Sequence, residues 1–140
     1  MSTEDNKAIM RRMIEEIWNQ GRLEVADELF APDATSPGLP LPPGPEGVKL
    51  VAGMFLRAFP DLRMEIEDII AEGDRVVGRF TETATHLGEF MGVPPTGKPV
   101  RFTEMGILRI RDGQIVESWY VLDQFGLMQQ IGAIPGPGGA

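Results

Sequence analysis

The sequence contains no cysteine and only one histidine, His86, and this scarcity excludes several common kinds of site. Without cysteine there is no disulfide framework, no thiol nucleophile and no thiolate metal site. One histidine is too few for a histidine-rich zinc centre within a single chain. We therefore expect no metal and no metal-assisted catalysis.

Basic residues are also scarce, since 13 Lys and Arg stand against 21 Asp and Glu and give a net charge of −8. This charge repels the phosphates of nucleic acids and anionic membrane surfaces. No segment approaches the ~18 consecutive apolar residues of a membrane span, and the first residues lack a basic stretch followed by an apolar run. We expect a cytoplasmic protein with neither nucleic-acid nor membrane partners.

The remaining composition is that of an ordinary folded chain. Hydrophobic residues make up 42% and charged residues 24% of 140 residues, close to globular averages. This length fits one domain of ~100–150 residues. We predict a single domain over residues 1–133, followed by a disordered tail rich in proline and glycine over residues 134–140.

The first half of the chain shows the spacing of amphipathic helices. Apolar residues recur three and four positions apart within residues 1–20, 23–30 and 46–59, which predicts three helices. Ser2 and Thr3 are candidate caps for the first helix. Residues 31–45 hold six prolines in fifteen positions, which predicts a surface loop. Such a loop is either a flap over a cavity mouth or a stiff connector.

The second half changes to a period of two. Alternating runs from residue 62 predict four antiparallel strands, with turns at residues 72–74 and at Asp112-Gly113 and an irregular loop over residues 88–99. Residues 125–131 add a last helical turn. Three helices followed by a strand meander predict an α+β fold, in which a strongly curved sheet wraps the helices around an apolar pocket.

Several short blocks of residues occur in a characteristic order between positions 8 and 133. They are Ile17-Trp18-Asn19-Gln20-Gly21, Phe59-Pro60-Asp61-Leu62, Gly73-Asp74-Arg75-Val76, residues 85–92 (THLGEFMG), residues 94–98 (PPTGK), residues 108–117 (LRIRDGQIVE) and residues 119–130. This series resembles the SnoaL-like polyketide cyclases, within the NTF2-like superfamily of cone-shaped folds. Many relatives carry a histidine shortly after the position of Asp33, and this sequence does not.

The resemblance implies cofactor-independent chemistry, in which an acid at the end of the last long strand removes a proton alpha to a carbonyl. The resulting enolate then closes a ring by intramolecular aldol attack. Asp123 matches that acid. By alternation it shares a strand face with Ile115, Glu117, Trp119 and Val121, and lining the cavity would desolvate it and make it a stronger base. The alternative is that Asp123 caps the following helix through the amide of Phe125 or Gly126.

Two further polar residues are candidates for the same site. His86 is expected to bond either Asp123 or a substrate oxygen, or else a backbone carbonyl at its strand end. Glu104 shares a face with Phe102 and Leu108, so it could be a buried acid that shares a proton or divides the acid and base roles with Asp123. A bulge that turns Glu104 to solvent is the alternative.

The expected substrate is a small, flat, apolar and oxygenated molecule. Trp18, Phe55, Phe59 and Trp119 are the aromatic residues placed around the pocket, although each could equally be core. No cofactor is needed for this chemistry. A homodimer or larger assembly is expected by analogy. Hydroxylation, epoxide opening and double-bond isomerisation in the same pocket remain alternatives, as does ligand binding without turnover.

Overall fold

The computed structural model describes residues 2–135, in which helices precede the main run of strands. Helix α1 (Thr3–Arg12) continues as a π-helix (Met13–Asn19), and a 3-10 turn (Leu23–Val25) precedes α2 (Ala26–Leu29). The remaining elements are β1 (Phe30–Thr35), α3 (Pro45–Ala58), β2 (Arg63–Glu72), β3 (Arg75–Thr85), β4 (Pro99–Arg111), β5 (Gln114–Leu122) and α4 (Gln124–Gln130). Most of the predicted disordered tail, residues 136–140, lies outside the described residues.

The five strands form one sheet in the order β1-β5-β4-β3-β2. Strands β2 to β5 pair antiparallel with their sequence neighbours, as the period-two pattern predicts. The α+β fold with a curved, unclosed sheet is confirmed. Within residues 2–135, no helix has the length and apolar character needed to cross a membrane.

The predicted loop over residues 31–45 is wrong at its start, because Phe30–Thr35 form strand β1. This strand lies parallel to β5 at the edge of the sheet. An edge strand has only one partner and therefore tolerates Pro32, which has no N–H to donate. The loop proper covers residues 36–44. The Gly44 N–H donates to the Ala34 carbonyl at 2.8 Å, which folds the loop back onto β1.

The first helix is fixed at both of its ends. Ser2 is the cap: its hydroxyl accepts from the Asp5 N–H at 3.0 Å, and its own N–H donates to the Asp5 carboxylate at 3.1 Å. At the other end, the Asn19 side chain accepts from Met64 N and donates to Met64 O, at 2.7 and 3.0 Å. The wider π-helical turns before Asn19 carry Ile14 and Trp18, which both face the interior cavity.

A bulge in β5 decides which residues of that strand face inward. Arg109 pairs with Glu117 but Ile110 pairs with Ile115, so Val116 is an extra residue without a partner. One extra residue inverts the alternation that follows. The predicted inward face was therefore wrong beyond Val116, and the cavity is lined by alternate residues starting at Ser118 instead of Trp119.

Candidate active site

A cavity of about 470 Å³ lies between the helices and the inner face of the sheet. This volume is within the ~300–1,000 Å³ of small-molecule sites. The loop over residues 36–44 contributes Leu39, Leu41 and Pro42 to its wall, so the Pro-rich segment does lie against the cavity. The remaining apolar wall includes Ile14, Trp18, Phe30, Val48, Val51, Phe55, Met64 and Leu122.

Polar groups of the sheet converge on one part of the cavity wall, which we call the polar patch. It consists of Glu82 on β3, Glu104 on β4, and Ser118 and Tyr120 on β5. The Ser36 hydroxyl from the loop lies 2.9 Å from that of Ser118. Among the described residues that line the cavity there is no lysine, arginine or histidine, so no cation neutralises the two carboxyl groups.

The two carboxyl groups are neighbours across paired strands. Glu82 lies opposite Phe102, and Glu104 lies opposite Phe80, so the two acids are diagonal neighbours on the inner face. Glu82 is only 2% exposed, whereas Glu104 is partly accessible from the cavity. Within residues 2–135, Oε2 of Glu82 has no hydrogen-bond partner. Glu104 therefore faces the cavity, which is one of the two alternatives that the sequence left open.

Burial disfavours the ionised form of both carboxyl groups. It raises the pKa of Glu82 well above its usual range, and the nearby charge of Glu104 and a hydrogen bond between the two groups raise it further. Burial also raises the pKa of Glu104, while the same hydrogen bond opposes this rise. The two groups therefore share a proton near neutral pH.

Tyr120 supplies a neutral hydroxyl beside the pair. Burial and the charge of Glu104 raise the pKa of its phenol, so it remains protonated. The hydroxyl donates to the thioether sulfur of Met13 at 3.4 Å, a weak acceptor. The ring fits because its strand partner is Gly106, where a Cβ would come within 2.6 Å of the Tyr120 ring.

Asp123 is exposed, and the expectation that it is desolvated in the cavity was wrong. Strand β5 ends at Leu122, and Asp123 begins α4 by accepting a hydrogen bond from Gly126 N at 2.9 Å. This is the capping arrangement that the sequence offered as the alternative. Its neighbours Leu122 and Gln124 line the cavity, which places Asp123 near the rim. Its catalytic role stays a prediction.

His86 follows β3 directly and is fully buried. Its Nδ1 lies 3.0 Å from the Thr96 hydroxyl and accepts from Thr96 N at 3.3 Å, so the expected bonds to Asp123 or to a backbone carbonyl were wrong. Because Nδ1 accepts, these bonds assign the proton to Nε2, which has no partner among residues 2–135. The ring packs against Phe59 and is not part of the cavity wall.

The four predicted aromatic residues divide into two groups. Trp18 and Phe55 line the cavity and contact each other edge to face, with ring centroids 6.0 Å apart. Phe59 was wrongly placed at the cavity: it follows the last turn of α3 and packs in the core on Phe90. Trp119 was also wrongly placed, because the β5 bulge turns it to the outer sheet face, where the Arg75 guanidinium lies 5.9 Å from its ring.

Sequence reasoning missed three members of the polar patch. Glu82 occupies an inward position of β3 between Phe80 and Ala84, and the alternation of that strand was sufficient to reveal a charged residue on a buried face. Ser118 and Tyr120 were missed because the bulge is not visible in the residue pattern. Within residues 2–135, no cluster of three or more His, Cys, Asp or Glu side chains could hold a metal ion.

The sequence model of the SnoaL-like polyketide cyclases matches residues 8–131, and the chain belongs to this family. It is 27% identical over 119 residues to the nogalonic acid methyl ester cyclase of Streptomyces nogalater, covering 82% of this chain and 89% of that protein.

Solved structures of similar proteins confirm the NTF2-like cone. AclR of Streptomyces galilaeus, a proposed hydroxylase, is 40% identical with a TM-score of 0.84, and the match covers 96% of this chain and all of AclR. IdmH of Streptomyces antibioticus, a proposed polyketide cyclase, is 38% identical with a TM-score of 0.77, covering 91% of this chain and 98% of IdmH.

Proposed function

We propose that this protein cyclises a polyketide-like substrate without a cofactor, by removing a proton alpha to a carbonyl and closing a ring through intramolecular aldol attack. The observation that carries the proposal is the apolar cavity of about 470 Å³ whose carboxyl groups, Glu82 and Glu104, lie together in one patch. An apolar wall excludes water from a reactive enolate, while the patch holds the oxygen atoms and moves the proton.

The cavity wall also suits the shape of such a substrate. Trp18 and Phe55 present aromatic surfaces to a flat ring system, and Met54 and Met91 supply flexible thioethers that adapt to its outline. Ser36 and Ser118 offer hydroxyl groups to substrate oxygens. We infer an uncharged, mostly apolar and oxygenated ligand, since no cation faces the cavity among the described residues.

Turnover is tested with nogalonic acid methyl ester, the compound in the name of the Streptomyces nogalater relative, as the probe. Cyclisation yields a product of unchanged mass, formed under nitrogen and without added cofactor, and mass spectrometry and absorbance follow its appearance. If the protein binds the probe but does not convert it, the protein is a binding protein for this compound.

Hydroxylation is a second candidate function, because AclR, a proposed hydroxylase, shares 40% of its residues with this chain. The same experiment separates the two reactions. Hydroxylation adds one oxygen atom to the product, and cyclisation adds none. If that oxygen comes from molecular oxygen, hydroxylation also stops under nitrogen, where cyclisation continues.

The Asp123 prediction is tested by Asp123→Asn, which keeps a side-chain oxygen to cap α4 but cannot accept a proton. Loss of turnover with unchanged affinity for the probe would make Asp123 the general base and would exclude a base within the polar patch. Unchanged turnover would remove it from the mechanism and leave it as the cap of α4.

We also propose that the outer face of the sheet pairs two copies of the chain. Met105, Ile107 and Val121 are 53%, 36% and 77% exposed on neighbouring strands β4 and β5, beside Trp119. An apolar group of this kind on a sheet face is suited to a self-complementary contact. Sedimentation of the wild type should give a dimer that Met105→Asp converts to monomer, and a monomeric wild type would refute the pairing.

A further inference from the structure

We propose that Glu82 and Glu104 act together as the proton-transfer pair of the cavity, with Glu104 taking the proton from the substrate carbon and Glu82 giving a proton to the oxygen that becomes the new hydroxyl. This inference rests on the proposed function and names the residues that perform it. It assigns the base to the interior of the cavity and not to its rim.

The position of the two side chains supports this division of roles. They come from paired strands, lie diagonally on the inner face, and both line the cavity. Glu104 is the more accessible of the two, so it can reach a substrate C–H bond. Glu82 is 2% exposed and also belongs to the cavity wall, and its buried Oε2 has no hydrogen-bond partner within the described residues.

The surroundings of the pair argue against a purely structural purpose. Two buried acids without a cation cost folding free energy, and well-packed apolar side chains in their place usually stabilise a protein. Their direct strand partners, Phe80 and Phe102, show that this layer accommodates apolar residues. Buried titratable groups gathered at one cavity wall are typical of catalytic sites.

The protonation state fits the two roles. Burial favours the neutral form of both acids, and a hydrogen bond between them allows the pair to share one proton. A desolvated carboxylate is a stronger base than a hydrated one. The resting pair therefore offers one base and one acid at neutral pH, side by side.

The two glutamates account for every proton that moves in the reaction. The Glu104 carboxylate forms an O–H bond with the alpha proton as the C–H bond breaks, and the electron pair passes into the enolate. The enolate carbon attacks the second carbonyl carbon, a C–C bond forms, and the carbonyl electrons move to oxygen. That oxygen takes the Glu82 proton, and the proton on Glu104 passes to Glu82. The product is an isomer of the substrate.

Tyr120 completes the environment of the enolate. Its phenol lies next to Glu104 on the neighbouring strand and remains protonated. The hydroxyl donates to the Met13 sulfur, a weak acceptor, so exchanging it for an enolate oxygen gains a stronger hydrogen bond. The phenol is thus a donor for the oxygen that develops negative charge.

The test compares Glu104→Gln and Glu82→Gln with Glu117→Gln, a matched control on the outer face of β5 that pairs with Arg109. Turnover of nogalonic acid methyl ester should fall about 100-fold to 10,000-fold in Glu104→Gln and stay near wild type in the control. Urea unfolding confirms that each variant is folded. Turnover of Glu104→Gln at the wild-type rate would overturn the inference.

Deuterium exchange separates this inference from the proposed function. In deuterated water, the recovered probe gains deuterium at its alpha carbon whenever the base acts, whether or not a ring closes. Glu104→Gln should lose this exchange, whereas Glu82→Gln should keep it and lose ring closure about 100-fold. If the wild type exchanges without closing a ring, the proposed function fails and the base assignment survives. Exchange that is unaffected by Glu104→Gln would refute the assignment.

Discussion

Two acidic regions of this molecule lie next to each other on the sheet and differ in burial and in hydrogen bonding. Glu104 pairs with Leu122, the residue immediately before Asp123. Glu104 faces an apolar cavity beside a second carboxyl group, whereas Asp123 is exposed and bonded to the start of α4. Leu122, opposite Glu104, still lines the cavity, whereas the next residue, Asp123, caps a helix.

This difference shows that a place at the end of a strand does not by itself bury a carboxyl group in the cavity. Burial raises the pKa of Glu104, and the β5 bulge helps to create that burial by turning Tyr120 and Ser118 inward beside it. Asp123 accepts a hydrogen bond from the Gly126 N–H, which would otherwise lack a partner, and this bond stabilises the start of α4.

The largest expected effect concerns the pH dependence of stability at the interior pair. Folding raises the pKa of Glu82 above its unfolded value of 4.5, so the folded state binds this proton more tightly. The stabilisation is complete below the unfolded pKa and is lost as pH rises towards the folded pKa. We expect a loss of about 1 kcal/mol per pH unit from pH 5 to 8, measured by urea unfolding.

Glu82→Gln sharpens this prediction, because glutamine has the same shape and does not titrate. Among residues 2–135, the titratable groups that line the cavity besides Glu82 are Glu104 and Tyr120, and the phenol stays neutral throughout this range. The variant should therefore have a flatter stability profile than the wild type. Parallel profiles for the two proteins would show that Glu82 is ionised in the folded state.

The next effect is the stability gained by removing both interior acids. Glu82→Leu combined with Glu104→Met should raise the free energy of unfolding by about 1–4 kcal/mol at pH 8, since apolar side chains carry no desolvation penalty. Turnover should be abolished in the same protein. Thermal or urea unfolding measures the gain, and a destabilised double variant would contradict the claim that the pair is retained at a cost to stability.

A smaller effect is expected at the rim. Asp123→Ala removes the acceptor for Gly126 N and should destabilise the fold by about 1 kcal/mol. Asp123→Asn should cost only a few tenths of a kcal/mol, because asparagine caps helices about as well as aspartate. Equal destabilisation by both substitutions in urea unfolding would mean that the charge and not the cap is what matters.

The smallest effect is expected for Tyr120→Phe. The hydroxyl donates to the Met13 sulfur, a weak acceptor, so its removal should change the free energy of unfolding by about 0.5 kcal/mol or less. A loss above 2 kcal/mol would show that the hydroxyl has a stronger partner in the folded protein than the sulfur atom.

The residue pattern predicted the positions of helices and strands better than it predicted which side chains of a strand face the cavity. Helical spacing located α1 and α3, and Asp112-Gly113 located the β4–β5 turn, because these signals are local. Strand β1 was missed because its proline is tolerated only at a sheet edge, which depends on the whole topology. The bulge at Val116 arises from pairing with β4 and left no mark in the sequence, so Trp119 and Asp123 were assigned to the wrong side.

A titration of the glutamate side-chain carboxyl carbons by NMR, comparing the wild type with Glu82→Gln and Glu104→Gln, measures directly whether the interior pair holds a proton. We expect one glutamate in the wild type to be still protonated at pH 7 and its signal to disappear in Glu82→Gln. If every glutamate in the wild type ionises near the ordinary value of about 4.3, the interior pair holds no proton and cannot act as proposed.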